Sequence, residues 1–323
     1  MGPSTRVGAI HALRCRGGTL AALAGIAAVL SACERSLPSA TAGPQPEDGP
    51  RHATTAAAPS VEFYIHAHQD DWQLFMGDRV AASLGTADKV VLVYTTAGDA
   101  GDGAPYWQRR EAASKASVDS ILATGTWACA GQAIRGHPIA RCTKGKVVSY
   151  YLRLPDGNYL DGTGYGFGSL ARLRDQGTAT AARDGSTTYT SWADFHGTLA
   201  GIVEFEAAGR DAWSIAVHAP DYDRNVNRDD HPDHYATADA ARAAVSGRDW
   251  NEAWYQDYGS ETSPVNLSTS AHAVKHKVFA AYDRIMAAAG YESLIGRPRF
   301  QGWLWRTYFR AVTVTPPPPP PPP

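Results

Sequence analysis

Two short clusters rich in histidine and aspartate carry the side chains best suited to chemistry. The first is His68-Gln69-Asp70-Asp71, and the second is His231-Pro232-Asp233-His234. Imidazole nitrogens and carboxylate oxygens are common ligands of zinc. Each cluster follows an apolar run, 61–67 or 213–219, that predicts a β-strand. Because open α/β sheets bind ligands beyond the carboxyl ends of their strands, the two clusters together predict a catalytic divalent-metal site.

Hydrolytic zinc sites usually have three protein ligands and leave one position for water. We expect the ligands to be His68, Asp71 and His234. The first two lie three residues apart where a loop turns into a helix, and His234 lies at the start of another helix. Asp70 is then placed to accept a proton from water, and His231 to donate one or to stabilise an oxyanion. These are the groups that metal-assisted amide hydrolysis requires.

Each cluster also has a purely structural interpretation. Asp70 and Asp71 could cap the helix that follows, because carboxylates favour helix N-termini. His231 and His234 could lie on a polar surface turn. A single cluster does not decide between the two interpretations, but two clusters at matching strand ends favour the metal site.

The elements that must position these clusters alternate between strands and helices. Strands are predicted at 61–67, 89–95, 146–154 and 213–219, and helices at 72–84, 107–123, 191–208, 235–245 and 271–289. This alternation predicts an α/β fold, a Rossmann-like three-layer sandwich with a mainly parallel sheet. The glycine-rich stretch 157–189 is expected to be a long surface excursion over the sheet edge.

The segments Ala67-His68-Gln69-Asp70-Asp71 and His231-Pro232-Asp233-His234, each after a strand, resemble the PIG-L/LmbE-like family. The resemblance extends from residue 61 to about 310 and includes Arg109-Arg110-Glu111 and Leu154-Pro155-Asp156-Gly157. It implies a zinc-dependent de-N-acetylase of N-acetylglucosaminyl compounds, with another divalent metal as the alternative cofactor. The five candidate residues of the two clusters have the same roles in the family as those argued above.

Two positions depart from the family pattern, because Gln69 stands where proline is usual and Trp72 where an acidic residue is usual. Trp72 could stack on a sugar ring or could be core at the base of the helix. The family's helix arginine that contacts substrate could be Arg109 or Arg110, although either could instead pair with a nearby acid. Asp156 lies in a turn after a strand and is a further candidate substrate contact.

The start of the chain resembles a bacterial lipoprotein signal. Residues 1–32 contain three arginines, an apolar run from 20 to 30 and the ending Leu30-Ser31-Ala32-Cys33. The resemblance implies that Cys33 is lipidated and that the protein is extracytoplasmic, on the outer membrane facing the periplasm or the surface in a Gram-negative host. The alternative is an ordinary signal peptide that contains a cysteine.

Composition divides the remaining chain into three parts. Residues 33–60 are rich in Ala, Pro and Thr and are expected to form a flexible tether. Residues 61–315 are the expected catalytic domain. Residues 316–323 are all proline and predict a polyproline II tail.

Two of the four cysteines remain after the signal and the lipidation site are assigned. Cys129 and Cys142 predict a disulfide in an oxidising compartment. The segment between them is expected to be a loop, since it contains two glycines and a proline and shows little apolar periodicity. Zinc ligation by the two thiolates is the weaker alternative, because His137 stands alone nearby.

The charge of the chain excludes a nucleic-acid partner. The formal net charge is −2, and removal of the three arginines of the signal makes it −5, with no basic stripe. The expected partners are an N-acetylamino-sugar substrate, small molecule or glycan, and the membrane through a lipid anchor.

The sequence therefore predicts an extracytoplasmic metal-dependent amidohydrolase that removes acetyl from an N-acetylglucosamine-type sugar through metal-activated water. One alternative is a hydrolase of another amide or acyl group on a secreted metabolite. A second is a non-catalytic sugar-binding lipoprotein of the same fold, but Asp70 and His231 argue against it, because a binding module needs neither.

Overall fold

The computed structural model describes residues 60–157 and 168–314. The expected signal peptide, Cys33, most of the tether and the polyproline tail lie outside the described residues. Among the helices in the described ranges, none has the length and apolar character that a bilayer crossing requires.

Strands and helices alternate along most of the described chain. The strands are β1 (Val61–His66), β2 (Lys89–Thr96), β3 (Ala128–Ile134), β4 (His137–Lys144), β5 (Val147–Leu154), β6 (Thr180–Ala181), β7 (Thr188–Tyr189), β8 (Ile215–Pro220), β9 (Asn251–Tyr255) and β10 (Phe309–Val312). The helices are α1 (Asp71–Phe75), α2 (Gly77–Thr86), α3 (Ala104–Asp119), α4 (Leu170–Gln176), α5 (Trp192–Glu206), α6 (Pro232–Val245), α7 (Thr269–Ala288) and α8 (Pro298–Leu304).

Eight strands form the central sheet in the order β10-β9-β8-β1-β2-β5-β4-β3. The five strands from β9 to β5 are parallel to one another. At the edges, β10 pairs antiparallel with β9, β4 pairs antiparallel with β5, and β3 pairs antiparallel with β4. β1 and β2 are almost entirely buried apolar runs, as expected of parallel strands covered on both faces. The predicted mainly parallel α/β sheet is confirmed.

Helices cover both faces of this sheet, so the fold has three layers. Phe63 and Ile65 of β1 belong to a core that includes buried residues of α5 and α6. Tyr64, which points to the opposite face, belongs to a second core with residues of α2 and α7. This alternation is the period-two geometry of a strand.

The predicted loop between Cys129 and Cys142 is wrong, because β3 and β4 form an antiparallel hairpin there. The two cysteines lie opposite each other in the register and are joined by a disulfide. Arg135 and Gly136 make the two-residue turn with φ of 47° and 88°, the left-handed conformations that such turns require. β3 is largely exposed, and for that reason it lacks the apolar alternation that would reveal a strand.

Two further predictions of secondary structure need correction. The single helix predicted over 72–84 is divided at Met76, whose φ of −131° ends α1 before α2 begins. The predicted surface excursion is wrong for residues 168–189, which contain α4 and the β6–β7 ribbon. α4 buries Leu170 and Leu173, but its seven residues are too few to show helical periodicity.

Candidate metal centre

The two clusters meet at the carboxyl edge of the parallel strands. β1 ends two residues before His68, and the loop after β8 leads to α6, which begins at Pro232. Asp71 is the first residue of α1, and its Oδ2 accepts a hydrogen bond of 2.7 Å from the His68 backbone N–H. His231 is the N-cap of α6, so His234 lies in the first turn of this helix. The N-termini of α1 and α6 therefore determine the positions of the side chains in both clusters.

The three predicted ligands form a close triangle. His68 Nδ1 lies 3.2 Å from His234 Nε2 and 3.4 Å from Asp71 Oδ2. Asp71 Oδ1 lies 3.3 Å from His234 Nε2. A tetrahedral zinc ion with ligands at about 2.0–2.2 Å separates its ligand atoms by about 3.4 Å. The side chains present therefore fit a zinc ion, and all three are buried.

The charges around this triangle favour a cation. Burial alone would raise the pKa of Asp71, yet His234 and His68 hold it well below its usual value. Burial lowers the pKa of His68, but the carboxylates of Asp71 and Asp156 outweigh it and raise this pKa to about 10. The imidazoles thus lie in a field of buried negative charge, which a divalent ion can neutralise.

His68 belongs to a second group of candidate ligand atoms. This group comprises His68, Asp156, His231 and Asp233. Its separations are longer, with His68 Nε2 at 3.6 Å from Asp156 and 3.7 Å from Asp233. Of these two groups, the triangle has the shorter separations and is the better candidate for a metal site, with Asp156 and Asp233 as its neighbours.

Two carboxylates lie next to Nδ1 of His234, the ring nitrogen that is not directed at His68 and Asp71. His234 Nδ1 lies 2.8 Å from Asp230 Oδ1 and 3.2 Å from Asp257 Oδ2. A carboxylate on the second ring nitrogen fixes the orientation of a ligating imidazole. Sequence reasoning missed Asp257, which follows β9 at the same sheet edge. β9 has five residues and little apolar alternation, so neither the strand nor its aspartate was recognised.

His231 lies beside the triangle of His68, Asp71 and His234 and lines the same cavity as His68 and Asp71. Its Nδ1 accepts a hydrogen bond of 3.1 Å from the Asp233 backbone N–H, so the proton of the neutral ring is assigned to Nε2. Nε2 lies 3.7 Å from Asp156 Oδ1. Burial, and then the charge of His68, lower the pKa of His231 to about 3. The ring is therefore a neutral hydrogen-bond donor near neutral pH.

Asp70 is held by Arg110. The guanidinium donates Nη2 to Asp70 Oδ1, Nε to the hydroxyl of Tyr282 at 2.8 Å and Nη1 to the carbonyl of Gly98 at 2.6 Å. Gly98 has a φ of +57°, and a Cβ atom there would lie 2.5 Å from Gln69 Oε1. Only glycine leaves room for this arrangement.

Of the four residues predicted to contact substrate, two line the cavity and two do not. Arg110 and Asp156 line the cavity at the triangle, as expected of substrate contacts. Arg109 is exposed and does not line this cavity, so of the two alternative arginines only Arg110 lies at the cavity. Trp72 is fully buried and donates its Nε1–H to the Tyr94 hydroxyl at 3.0 Å. Its interpretation as a sugar-stacking platform is wrong, and Trp72 is core.

The polar side chains converge on one cavity of about 260 Å³. Those that line it are His68, Asp70, Asp71, Arg110, Asp156 and His231. A carboxylate that can accept a proton and a neutral imidazole that can donate a hydrogen bond thus lie beside three candidate metal ligands. The fold and site thus define an α/β protein with a hydrolase-type centre at the carboxyl edge of its sheet.

Residues 63–245 match the PIG-L family model, described as GlcNAc-PI de-N-acetylase. The chain belongs to this family of deacetylases, as the sequence clusters implied. Comparison with curated proteins finds no match.

Several solved structures are similar to the chain at low identity. Teicoplanin deacetylase Orf2 in its zinc-inhibited form is 14% identical with a TM-score of 0.42, and the match covers 72% of this chain and 87% of that one. The A40926 pseudoaglycone deacetylase Dbv21 is 15% identical with a TM-score of 0.41, over 72% and 84%. The N,N'-diacetylchitobiose deacetylase from Pyrococcus horikoshii is 16% identical with a TM-score of 0.43, over 78% and 84%.

Proposed function

We propose that the protein is a metal-dependent deacetylase that removes the acetyl group from an N-acetylglucosamine-type sugar. The observation that carries the proposal is the buried triangle of His68, Asp71 and His234, whose edges of 3.2–3.4 Å suit one tetrahedral ion. Asp70 and His231 line the same cavity. Membership of a deacetylase family supports the choice of an acetamide as the group cleaved.

His68, Asp71 and His234 would hold the ion, which we take to be Zn²⁺. When bound, a divalent ion supplies Lewis acidity that polarises the acetamide carbonyl and lowers the pKa of water. Asp230 and Asp257 keep His234 in its ligating orientation through the second ring nitrogen.

Asp70 is the proton acceptor in this proposal. Arg110 engages Oδ1, which fixes the carboxylate and directs it towards the cavity. Oδ2 then takes a proton from the attacking water as the new C–O bond forms. The fixed orientation matters because general-base catalysis depends on hydrogen-bond reach.

His231 is the hydrogen-bond donor in this proposal. Its Nε2–H donates a hydrogen bond to the negative oxygen that develops on the carbonyl, and Asp70 passes the proton that it took from water to the nitrogen as the C–N bond breaks. The products are acetate and the free amino sugar, so water supplies the oxygen that acetate gains. Asp156, 3.7 Å from His231 Nε2, is placed to orient this ring or to contact a sugar hydroxyl.

We also propose that the protein acts outside the cytoplasm, anchored through a lipidated Cys33. The support is the signal-like sequence 1–33. The cysteine pair is consistent with this location, since disulfides persist in oxidising compartments.

Acetate release from a panel of N-acetylglucosamine compounds tests the activity. The panel holds the monosaccharide, glycosides and oligosaccharides, together with N-acetyl amino acids as amides of another class. We expect stoichiometric acetate and free amine from at least one sugar and none from the amino acids. Cleavage of the amino-acid amides alone would overturn the sugar assignment, and the absence of acetate from every member in the zinc-loaded protein would overturn the proposal.

A further inference from the structure

The cavity has an aromatic wall in addition to its polar groups. The rings that line it belong to Tyr106, Tyr258, Phe300 and Trp303. The first three are half-buried, so part of each ring surface faces the cavity, whereas Trp303 is buried behind them. Deacetylation as proposed above uses only the polar groups, so these rings have no assigned role in the chemical step.

The wall begins directly at the candidate metal centre. The Tyr258 ring packs edge-to-face against the imidazole of His234, with centroids 5.0 Å apart. Tyr258 also stacks on Trp303 at 4.9 Å, and Phe300 packs edge-to-face against Trp303 at 5.1 Å. A group attached to a sugar whose acetamide lies at the centre would therefore meet these rings.

The rings are held in place before any ligand binds. The Arg299 guanidinium lies 4.7 Å from the centroids of both Tyr258 and Trp303. On the α3 side, Tyr106 packs against Tyr291 at 4.9 Å. A fixed apolar surface beside polar groups is typical of a ligand site, because the ring orientations cost little further entropy on binding.

The chain segment that supplies most of the wall differs from the one that supplies the chemistry. The five candidate catalytic and metal-ligating residues lie within the matched residues 63–245, whereas Tyr258, Phe300 and Trp303 lie beyond them.

We infer that the wall is a subsite for the group attached to the acetamido sugar, and that this group presents an apolar ring face. The C–H face of a second pyranose and an aryl ring share this chemistry, since both pack on aromatic side chains. This inference rests on the proposed function. It makes the preferred substrate a ring-bearing glycoside of the acetamido sugar, not the free monosaccharide.

The test compares three substrates that differ only in the attached group: the methyl glycoside of N-acetylglucosamine, its phenyl glycoside and the β-1,4-linked disaccharide. Tyr106→Leu and Phe300→Leu keep apolar volume but remove the ring face. We expect each variant to lower kcat/KM for a ring-bearing substrate by roughly 3- to 10-fold relative to kcat/KM for the methyl glycoside. Whichever of the two ring-bearing substrates shows the loss identifies the ring that the wall recognises.

Phe205→Leu is the matched control, because Phe205 lies on α5, is 47% exposed and does not line the cavity. This variant should leave all three rates unchanged. If Tyr106→Leu and Phe300→Leu both left the ratio of ring-bearing to methyl substrate unchanged, the subsite would be refuted.

A binding measurement separates failure of the subsite from failure of the proposed activity. Calorimetry on the EDTA-treated full protein measures the affinity for the phenyl and methyl glycosides and the disaccharide without turnover. Tighter binding of a ring-bearing ligand, lost in Phe300→Leu, would support the subsite even if no acetate were released. Equal affinity for all three ligands in the wild-type protein would overturn the subsite while leaving the deacetylase proposal intact.

Discussion

At the residue scale, the centre depends on imidazole rings whose two nitrogens have different partners. His234 directs Nε2 to Asp71 and His68, and Nδ1 to Asp230 and Asp257. Carboxylates on the far nitrogen restrict the ring orientation and increase its basicity as a ligand. The metal affinity of the proposed site would therefore depend in part on residues that do not touch the metal.

Asp257→Asn tests this point. The amide removes the carboxylate that lies 3.2 Å from His234 Nδ1, so we expect metal affinity to fall by ~10–100-fold. Competition with a chromogenic chelator measures the change directly. Asp249→Asn, an exposed neighbour on the same segment, is the control and should bind metal as the wild type does. Equal affinity in both variants would mean that Asp257 does not support His234.

Asp70→Asn separates catalysis from binding. The amide keeps the shape of the side chain but cannot take a proton, so turnover should fall by ~10²–10⁴-fold. Metal content, measured by elemental analysis, should stay at the wild-type level because Asp70 is not among the three ligands. An Asp70→Asn protein with wild-type turnover on a verified substrate would exclude Asp70 as the base.

At the scale of elements, the β3–β4 hairpin extends one edge of the sheet and is closed by its disulfide. The cysteines are separated by 13 residues, and a cross-link of this loop length restricts the unfolded chain. β3 is exposed at the sheet edge, so little apolar burial holds it otherwise.

We predict that Cys129→Ser combined with Cys142→Ala lowers the free energy of unfolding by about 3 kcal/mol. Alanine is chosen at position 142 because the side chain there is buried, where a serine hydroxyl would need a partner. Urea unfolding of the wild-type protein and the double variant measures the difference, and the reduced wild type should resemble the variant. An unchanged midpoint would show that the cross-link contributes no stability.

The sequence predicted elements and residues whose signals are local. The strands before His68 and His231 are mostly buried, and each cluster lies in the connection that follows its strand, which places it at the carboxyl edge of the sheet. The hairpin was missed because its edge strand is exposed and its turn is Arg-Gly, which lacks the usual Asn-Gly or Asp-Gly signal. Asp257 was missed with β9, because a five-residue strand without alternation has no periodic signal.

Contacts between residues far apart in the chain could not be predicted from the sequence either. Trp72 of α1 had two interpretations, and the choice depends on its partner Tyr94, which lies on β2. The two arginines of α3 were equivalent in sequence, but only Arg110 meets Asp70 and Tyr282. The aromatic wall comes from segments more than 150 residues apart, Tyr106 and Phe300 among them, so no local pattern could reveal it.

At the scale of the whole molecule, the proposed location rests on the sequence of the first 33 residues, which lie outside the described ranges. If Cys33 is acylated, the mature chain begins there and remains with the membrane, because several acyl chains anchor a protein firmly. The segment 33–60 would then allow the catalytic part to act away from the bilayer.

Cys33→Ser should block lipoprotein processing and leave an uncleaved or mis-sorted protein. Membrane fractionation and mass spectrometry of the mature N-terminus measure the outcome in the wild type and the variant. A soluble wild-type protein with a free, unmodified N-terminus downstream of Cys33 would show that the lipoprotein prediction is wrong.

The central claim is that His68, Asp71 and His234 hold one metal ion that deacetylation requires. Zinc titration of the EDTA-treated protein, with bound metal and acetate release measured in parallel, tests it most directly. We predict that both rise together and saturate at one ion per chain, and that His234→Ala shows neither under the same conditions. Acetate release that is unaffected by metal removal, or full zinc binding by His234→Ala, would contradict the account.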